Sequence, residues 1–512
     1  MIPSLPVHGV GEQRPYFETL SAIFADAAVT MPDAVAWRHR DASLTYREAA
    51  LAVAALARRI ALLAEPSQSV ALLLPNSIEF CLAYWATLEA VAVPALLNPL
   101  YPAPQLQPLL REAEPRLILC DPTTKAVARQ FGDVLCLGED VTLADLLAEP
   151  HGPPARAPEP DDVAAILFSG GTTGVPKAVE HTHARLVTAV RCVEYNWPTR
   201  RSGEVFLPIA PFTHIYGFLT GVLAPVSARA ETVIPERFQP AHVVELLSRH
   251  RVTVFGGGPP AIYAGVLAAP NLQAADLSAL RVCPAGGAPV PVELHRRWRE
   301  ATGREIHEGC GMTEMAPISG TTELSGVRPG SVGPAMPCNT IEIVDLETGE
   351  RVLGPGERGE IRVRGPHMMR GYRGRPEETA QVLRHGFIYT GDIGHLDQDG
   401  FLTITDRKKD VVLVKGFNVF PREVEEVIHT HPKVAAAGVV GAPDARSGER
   451  VVAYVVPRAG EALSEAELSA FLLERLVAYK CPGAIRIVDA LPMTGVQKLD
   501  RAALARQARE EG

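Results

Sequence analysis

The sequence predicts an α/β protein. A large N-terminal domain of two α/β subdomains plus a small β-barrel is followed by a small α+β C-terminal domain. Three observations predict this. Up to residue 320, apolar runs of strand length alternate with helical stretches, the pattern of a mostly parallel sheet covered by helices. Over residues 325–402 the pattern changes to short β runs between Gly/Pro turns, which suggests a small barrel or distorted sheet. The remaining chain mixes helix and strand signals on the scale of a separate small domain.

Taken in order, Phe17, Leu20, Ile23 and Phe24 have the spacing of an amphipathic helix. Two short strands follow near residues 34–37 and 44–46. Thr45 is placed to cap a helix from about Arg47 to Leu63, with Glu48 in its first turn. Residues 70–74 (VALLL) are continuously apolar, as expected of a strand buried on both faces. Asn76-Ser77 starts the next helix. Strands at residues 91–97 and 116–119 flank a helix near residues 105–113. A Pro-rich connector at residues 150–160 leads to a second α/β run. Strands are expected at residues 340–344, 359–363 and 401–405. In the last domain Pro421 suits the first turn of a helix. Strands are expected at residues 435–440 and 451–456, and Ser464 with Glu467 forms a capping pattern before another helix.

Composition narrows the function. Apolar residues make up 47% and charged residues 21%, ordinary globular values. The net charge of −9 argues against a general nucleic-acid binder, which would be basic. Eight scattered cysteines with no CxxC pair argue against a zinc site or disulfide framework and fit a reducing, cytoplasmic location. The N-terminal residues have neither the basic start nor the apolar core of a signal peptide. Residues 205–228 and 252–275 carry no Asp, Glu, Lys or Arg, but prolines and glycines break both. They read as buried core segments, so no transmembrane segment is expected. A homodimer is an open assembly state.

The stretch with the clearest chemistry is residues 166–179, ILFSGGTTGVPKAV. An apolar strand runs into Ser169, Gly170, Gly171, Thr172, Thr173 and Gly174. Glycines let backbone N–H groups approach a ligand, hydroxyls add donors, and such a concave run suits a phosphate. Lys177 adds a positive charge at the exit. Pro176 stands where a Walker A loop needs glycine before lysine, so the loop is of another kind.

SGGTTGVPK resembles the phosphate loop of the adenylate-forming superfamily: acyl-CoA synthetases, firefly-type luciferases and the adenylation domains of peptide synthetases. Six further segments match it in order. PFTHIYG carries His214, which by resemblance borders the carboxylate pocket. AGGAP, with Gly286, Gly287, Ala288 and Pro289, resembles the adenine-binding turn. EGCGMTE supplies Glu308, Gly309, Cys310, Gly311, Met312, Thr313 and Glu314. The resemblance implies that Thr313 donates to the α-phosphate and that Glu314 holds Mg²⁺. Cys310 stands where relatives have an aromatic residue near the adenine. YTGD supplies Asp392 for the ribose. In TDRKKDVVLVKGFNVFP, the resemblance puts Arg407 on the ribose or phosphates and Lys409 at a hinge. Lys415, Gly416 and Phe417 fall where CoA synthetases build the pantetheine tunnel. PMTGVQK brings the catalytic lysine, Lys498, with Gln497 in place of the usual glycine.

The resemblance implies residues 1–407 as the adenylate-forming domain and 408–512 as a mobile C-terminal domain. The implied reaction is ATP-dependent: a carboxylic acid becomes acyl-AMP with release of pyrophosphate, and the acyl group then passes to coenzyme A. The expected ligands are ATP, Mg²⁺, CoA and a small-molecule acid, with no nucleic acid. A medium- or long-chain fatty acid is the expected substrate, because SGGTTG, GMTEMAP and KGFNVFP most resemble bacterial fatty acyl-CoA synthetases. An aryl acid, or transfer to a carrier-protein thiol, is the alternative. Gly256, Gly257 and Gly258 are expected to line a roomy apolar pocket. Luciferase-like oxidation, a non-catalytic nucleotide-binding protein and a membrane transporter are the remaining classes. A non-catalytic protein sits poorly with the intact set Lys177, Thr313, Glu314, Asp392 and Lys498, and a transporter with the broken apolar segments.

Overall fold

The computed structural model describes residues 17–149, 156–169, 176–198, 203–415, 417–444, 447–493 and 499–511. Among these, one compact unit comprises the residues up to Ile341 together with Val363–Ile388. The other comprises Glu342–Arg362 and the residues from Tyr389 onward.

The first unit is built on two larger sheets and a small one. The seven-stranded sheet runs, edge to edge, through Gly371–Tyr372, Ala178–Thr182, Val163–Phe168, Val93–Leu96, Ser69–Leu73, Pro115–Cys120 and Val134–Cys136. Its inner strands are parallel, but Val163–Phe168 and Ala178–Thr182 form an antiparallel hairpin. Ser69–Leu73 is buried at every position, in keeping with the unbroken apolar run that follows Ser69. The five-stranded sheet runs Val254–Gly256, Val205–Pro208, Glu231–Ile234, Val35–His39 and Ala42–Thr45.

Local signals place the helices as expected. Thr45 accepts from the Glu48 amide while the Glu48 carboxylate accepts from the Thr45 amide, a complete capping box on helix Tyr46–Leu63. Ser77 caps Ile78–Glu89 through the Phe80 amide. The core around helix Ile78–Glu89 is aromatic. Phe24 stacks on Trp85 with ring centroids 4.9 Å apart, and Tyr84 meets Phe218 edge-on at the same distance. The two charge-free segments resolve into short strands and helices, and no described helix is long and apolar enough to cross a membrane.

The second unit has two sheets. In one, Thr340–Val344, Gly359–Arg364 and Phe387–Leu396 are neighbours, with Leu402–Arg407 pairing the last. In the other, Phe417–Val419, Val412–Val414, Gly448–Pro457 and Val434–Asp444 follow in order, with Ala484–Ile487 parallel to Gly448–Pro457. Pro421 opens helix Pro421–His429, and Ser464 caps Glu465–Leu473 through the Glu467 amide. Residues 342–362 and 389–407 group with this unit through polar ties. Lys408 pairs with Glu360 at 2.7 Å, and the Arg422 amide donates to Asp406.

Candidate active site

The loop flanked by Ser169 and Lys177 is the tip of the Val163–Phe168/Ala178–Thr182 hairpin. Its base is closed by the Ser169 amide donating to the Lys177 carbonyl and by the Lys177 amide donating to the Ser169 hydroxyl. Gly170, Gly171, Thr172, Thr173 and Gly174 lie outside the described residues. The edge strand Gly371–Tyr372 pairs with Ala178–Thr182 and sets Tyr372 opposite Val179. This brings the Lys177 ammonium over the Tyr372 ring, 4.7 Å from its centroid, and within 2.8 Å of Glu378. Lys177 and then Arg375 hold the Glu378 carboxyl below its ordinary range. Arg375 in turn grips Glu112. Lys177 is thus held by a carboxylate.

EGCGMTEMAP folds as a second hairpin. Strands His307–Met312 and Met315–Gly320 are antiparallel with Met312 opposite Met315, so Thr313 and Glu314 are the two residues of the turn. Three contacts hold that turn. His181 Nε2 lies 2.8 Å from the Thr313 carbonyl, the Met369 amide donates to the Glu314 carbonyl at 2.7 Å, and the Tyr372 hydroxyl donates to Glu314 Oε1 at 2.8 Å. Because a carbonyl only accepts, His181 carries its proton on Nε2. Glu314 is 7% exposed, so its carboxylate sits in a dry setting where charge acts strongly.

Burial pushes His181 down to about 4, and the neighbouring His183, which accepts from the Leu20 amide, also to about 4. The sign of the pH effect follows. Between the unfolded value near 6.5 and the folded value, the unfolded chain binds protons that the native chain refuses. Stability is full above pH 6.5 and falls as pH drops toward 4, by about 3 kcal/mol per histidine. Thermal unfolding midpoints across this range are expected to show the fall. In His181→Gln, whose amide can still donate to Thr313, the fall should be smaller. A pH dependence identical to wild type would reject this role.

PFTHIYG is a turn leading into the short helix Ile215–Phe218, capped by His214 Nδ1 accepting from the Tyr216 amide. Asn76 clamps this turn from both sides, donating to the Ala210 carbonyl and accepting from the Phe212 amide. His214 is exposed, unlike a histidine satisfied in the core. The Tyr216 hydroxyl donates to the Pro284 carbonyl. Its ring then lies against Gly258 and Gly286: a Cβ added there would sit 3.4 Å and 3.8 Å from ring carbons. AGGAP ends the strand Pro284–Gly286, parallel to His307–Met312 with Gly286 opposite Gly309. Gly287 has a φ of +83°, open to glycine at little cost. Ala288 and Pro289 complete the turn. Glu308 fastens it from behind: one carboxylate oxygen accepts from the Val290 amide, and the other lies 2.9 Å from His295 Nε2. The Glu308 side chain is therefore a brace within the fold. Gly309, Cys310, Gly311 and Met312 follow on the same strand, and Cys310 is half-buried.

In the second unit, Asp392 and Arg407 stand opposite each other on paired antiparallel strands, with Nε to Oδ1 at 2.9 Å. Burial raises the Asp392 carboxyl and the Arg407 guanidinium opposes it. Lys409 sits in the one-turn 3₁₀ helix Lys408–Asp410. Lys415 has a left-handed backbone, φ +53°, and its amide donates to the Ser447 carbonyl. Phe417 is 55% exposed and stacks on Tyr479 at 4.7 Å. Gly416 and Lys498 lie outside the described residues. The residues flanking Lys498 are pinned by an antiparallel bridge between Met493 and Leu499 and by the Asp500 amide donating to the Pro492 carbonyl.

The AMP-binding enzyme family model matches residues 24–373, and the AMP-binding enzyme C-terminal domain model matches residues 423–498. The chain belongs to the AMP-binding enzyme family. A long-chain-fatty-acid–CoA ligase of Bacillus subtilis (strain 168) is 33% identical over 96% of this chain and 95% of its own. A feruloyl-CoA synthase of an Amycolatopsis species is 36% identical, covering 93% and 96%. Among solved structures, ATP-bound MatB from Rhodopseudomonas palustris superposes with a TM-score of 0.89 at 29% identity, covering 96% of this chain and 99% of its own. The protein is an AMP-forming acyl-CoA synthetase, an ATP-dependent acid–CoA ligase.

For this family member, the first unit brings Lys177 and Glu314 together at Tyr372, on two hairpins that also carry Ser169 and Thr313, and sets Gly286 against the ring of Tyr216, which lies two residues after His214. Asp392 and Arg407 meet in the second unit. Tyr372, Glu378, His181 and Asn76 escaped the sequence reading. Their only local signals were a lone histidine in a strand, an asparagine taken as a helix start, and GYRGRPEET, which matched no motif considered. Of the three glycines Gly256, Gly257 and Gly258, Gly257 is tightly filled on its Cβ side, where an added Cβ would lie 2.7 Å from the Tyr263 ring, and an added Cβ on Gly258 would touch the Tyr216 ring at 3.4 Å.

Proposed function

We propose that the acid activated is a medium- or long-chain fatty acid and that the acceptor is free CoA. The observation that carries this reading is that two adjoining segments, one of them holding His214, carry no acidic or basic side chain of their own. Neither residues 205–228 nor residues 252–275 contain Asp, Glu, Lys or Arg, and their strands Val205–Pro208 and Val254–Gly256 lie side by side. Such a wall suits a substrate whose only charge is its reacting carboxylate. An ammonium-bearing amino acid lacks a partner in the FTH segment. The likeness to the Bacillus subtilis ligase supports the aliphatic choice, and the likeness to the feruloyl-CoA synthase is the reason an aryl acid is the second reading.

In the proposed site, carboxylate and triphosphate repel one another, so the protein supplies positive charge where negative charge develops. Lys177, released from Glu378, faces phosphate from the base of the loop, and Lys498 supplies a mobile point charge. Thr313 donates to the α-phosphate, His214 borders the carboxylate, and Asp392 accepts from the ribose hydroxyls. The buried Glu314, oriented by Tyr372, fits Mg²⁺, a hard ion that takes one or two carboxylates and leaves its other positions to water and phosphate. When bound, Mg²⁺ neutralises phosphate charge.

For the second half-reaction, residues 408–512 turn about Lys409 and bring Lys415, Gly416 and Phe417 to the pantetheine arm. Lys409→Pro is expected to leave acyl-adenylate formation intact and to slow thioester formation at least tenfold. Unimpaired overall turnover would reject the hinge. The decisive screen is pyrophosphate release over fatty and aryl acids, with and without CoA. Fastest turnover with C8–C18 acids and CoA-dependent AMP release are expected. Faster turnover of ferulate or coumarate would transfer the assignment to aryl acids, and AMP release independent of CoA would reject CoA as acceptor.

A further inference from the structure

Cys192, Cys338 and His367 lie far apart in sequence, and the fold brings them together within the first unit. Cys192 is on helix His183–Asn196, Cys338 precedes strand Thr340–Val344, and His367 follows strand Gly359–Arg364. The two sulfurs are 2.8 Å apart, and all three potential ligand atoms lie within 4.8 Å of one another. Cys192 and His367 are buried, and Cys338 is half-buried.

The imidazole is set in one orientation. His367 Nε2 lies 2.8 Å from the Pro317 carbonyl. A carbonyl only accepts, so the proton is on Nε2 and the lone pair is on Nδ1. Nδ1 is buried and makes no close hydrogen bond, and the imidazole interacts with the Cys338 thiol. A buried acceptor without a close partner calls for an explanation. Histidines that bind metal commonly pass their other N–H to a backbone carbonyl, which fixes the tautomer and aims the free nitrogen. The Asn339 amide supports the same strand, donating to the Pro317 and Ile318 carbonyls, while its oxygen faces Cys338 Sγ at 3.5 Å.

We propose that Cys192, Cys338 and His367 form a binding site for a thiophilic d¹⁰ metal ion, Zn²⁺ or Cu⁺. Two sulfurs and an imidazole are a soft ligand set, unsuited to the Mg²⁺ that serves ATP. The thiol protons leave to solvent as the metal–sulfur bonds form, and the sulfurs separate to admit the ion. No catalytic residue takes part. The ion ties helix His183–Asn196 to Cys338 and to His367, whose Nε2 is bonded to the Pro317 carbonyl of strand Met315–Gly320. A disulfide between the same cysteines would occupy the sulfurs and leave Nδ1 without a partner, which is why the metal is favoured.

The test uses the full-length protein, purified with reductant and stripped by a chelator, without ATP or Mg²⁺. Zn²⁺ is titrated in competition with a chromophoric chelator, Cu⁺ likewise under anaerobic conditions, and Co²⁺ is added as a spectroscopic probe. One Zn²⁺ or Cu⁺ per chain is expected, and the competition identifies which ion binds more tightly. Co²⁺ should give thiolate-to-cobalt charge-transfer bands. Affinity should fall by about 100-fold in Cys338→Ser and in His367→Gln and stay unchanged in Cys481→Ser. Absence of stoichiometric binding by either ion, or of thiolate bands in the wild-type Co²⁺ spectrum, would overturn the proposal whether or not the variants fold. So would a Cys192–Cys338 disulfide, seen by mass spectrometry, in protein that takes up no ion.

Discussion

A Lys498→Ala variant is expected to lose acyl-adenylate formation by roughly 10²- to 10³-fold, the usual cost of deleting one group that stabilises transition-state charge. Thioester formation from supplied acyl-AMP and CoA should continue at the wild-type rate. The split arises because the two half-reactions need different charges. Joining carboxylate to triphosphate needs a cation between them, while thiol attack on a neutral acyl carbon does not. Pyrophosphate exchange reads the first step, and thioester yield from synthetic acyl-AMP reads the second. Equal loss in both would mean that the substitution disturbs the fold around Met493 and Leu499 rather than removing a charge.

A Glu314→Gln variant should lose about 10²- to 10³-fold in kcat for adenylate formation, since it removes the carboxylate assigned to Mg²⁺ but keeps the hairpin turn. Tyr372→Phe provides the graded comparison. It leaves the carboxylate and removes the hydroxyl 2.8 Å away. A hydrogen bond to a charged group contributes about 1.5–3 kcal/mol, so a loss of about 10- to 100-fold is expected. That loss should appear as a higher Mg²⁺ requirement, partly recovered at saturating Mg²⁺. Activity of Glu314→Gln within threefold of wild type would remove Glu314 from the metal role. A Tyr372→Phe defect indifferent to Mg²⁺ would make Tyr372 a support for Lys177 alone.

Much of this was legible in one dimension because the features concerned are local. Capping boxes at Thr45, the apolar strand Ser69–Leu73 and the Pro421 helix start each depend on neighbours a few residues away. The phosphate loop and GMTE are equally local: glycines, hydroxyls and one charge at fixed spacing state a chemistry before any fold is known. What stayed hidden depends on pairing between distant strands. Gly371–Tyr372 must add to the edge of a sheet before Tyr372 can meet Glu314 and Lys177. Glu378 gives no sign in sequence that it neutralises Lys177.

Gly257 and Gly258 show the same limit, because a glycine declares space without declaring what lies beside it, and here Tyr263 and Tyr216 do. The cysteines show it most clearly. Without a CxxC pair they argued against a metal, yet Cys192, Cys338 and His367 converge once helix and strands are in place. Local spacing alone was enough to point to the family and to most element starts. Which charges face one another, and which buried groups lack partners, depends on distances between residues that the chain order keeps far apart.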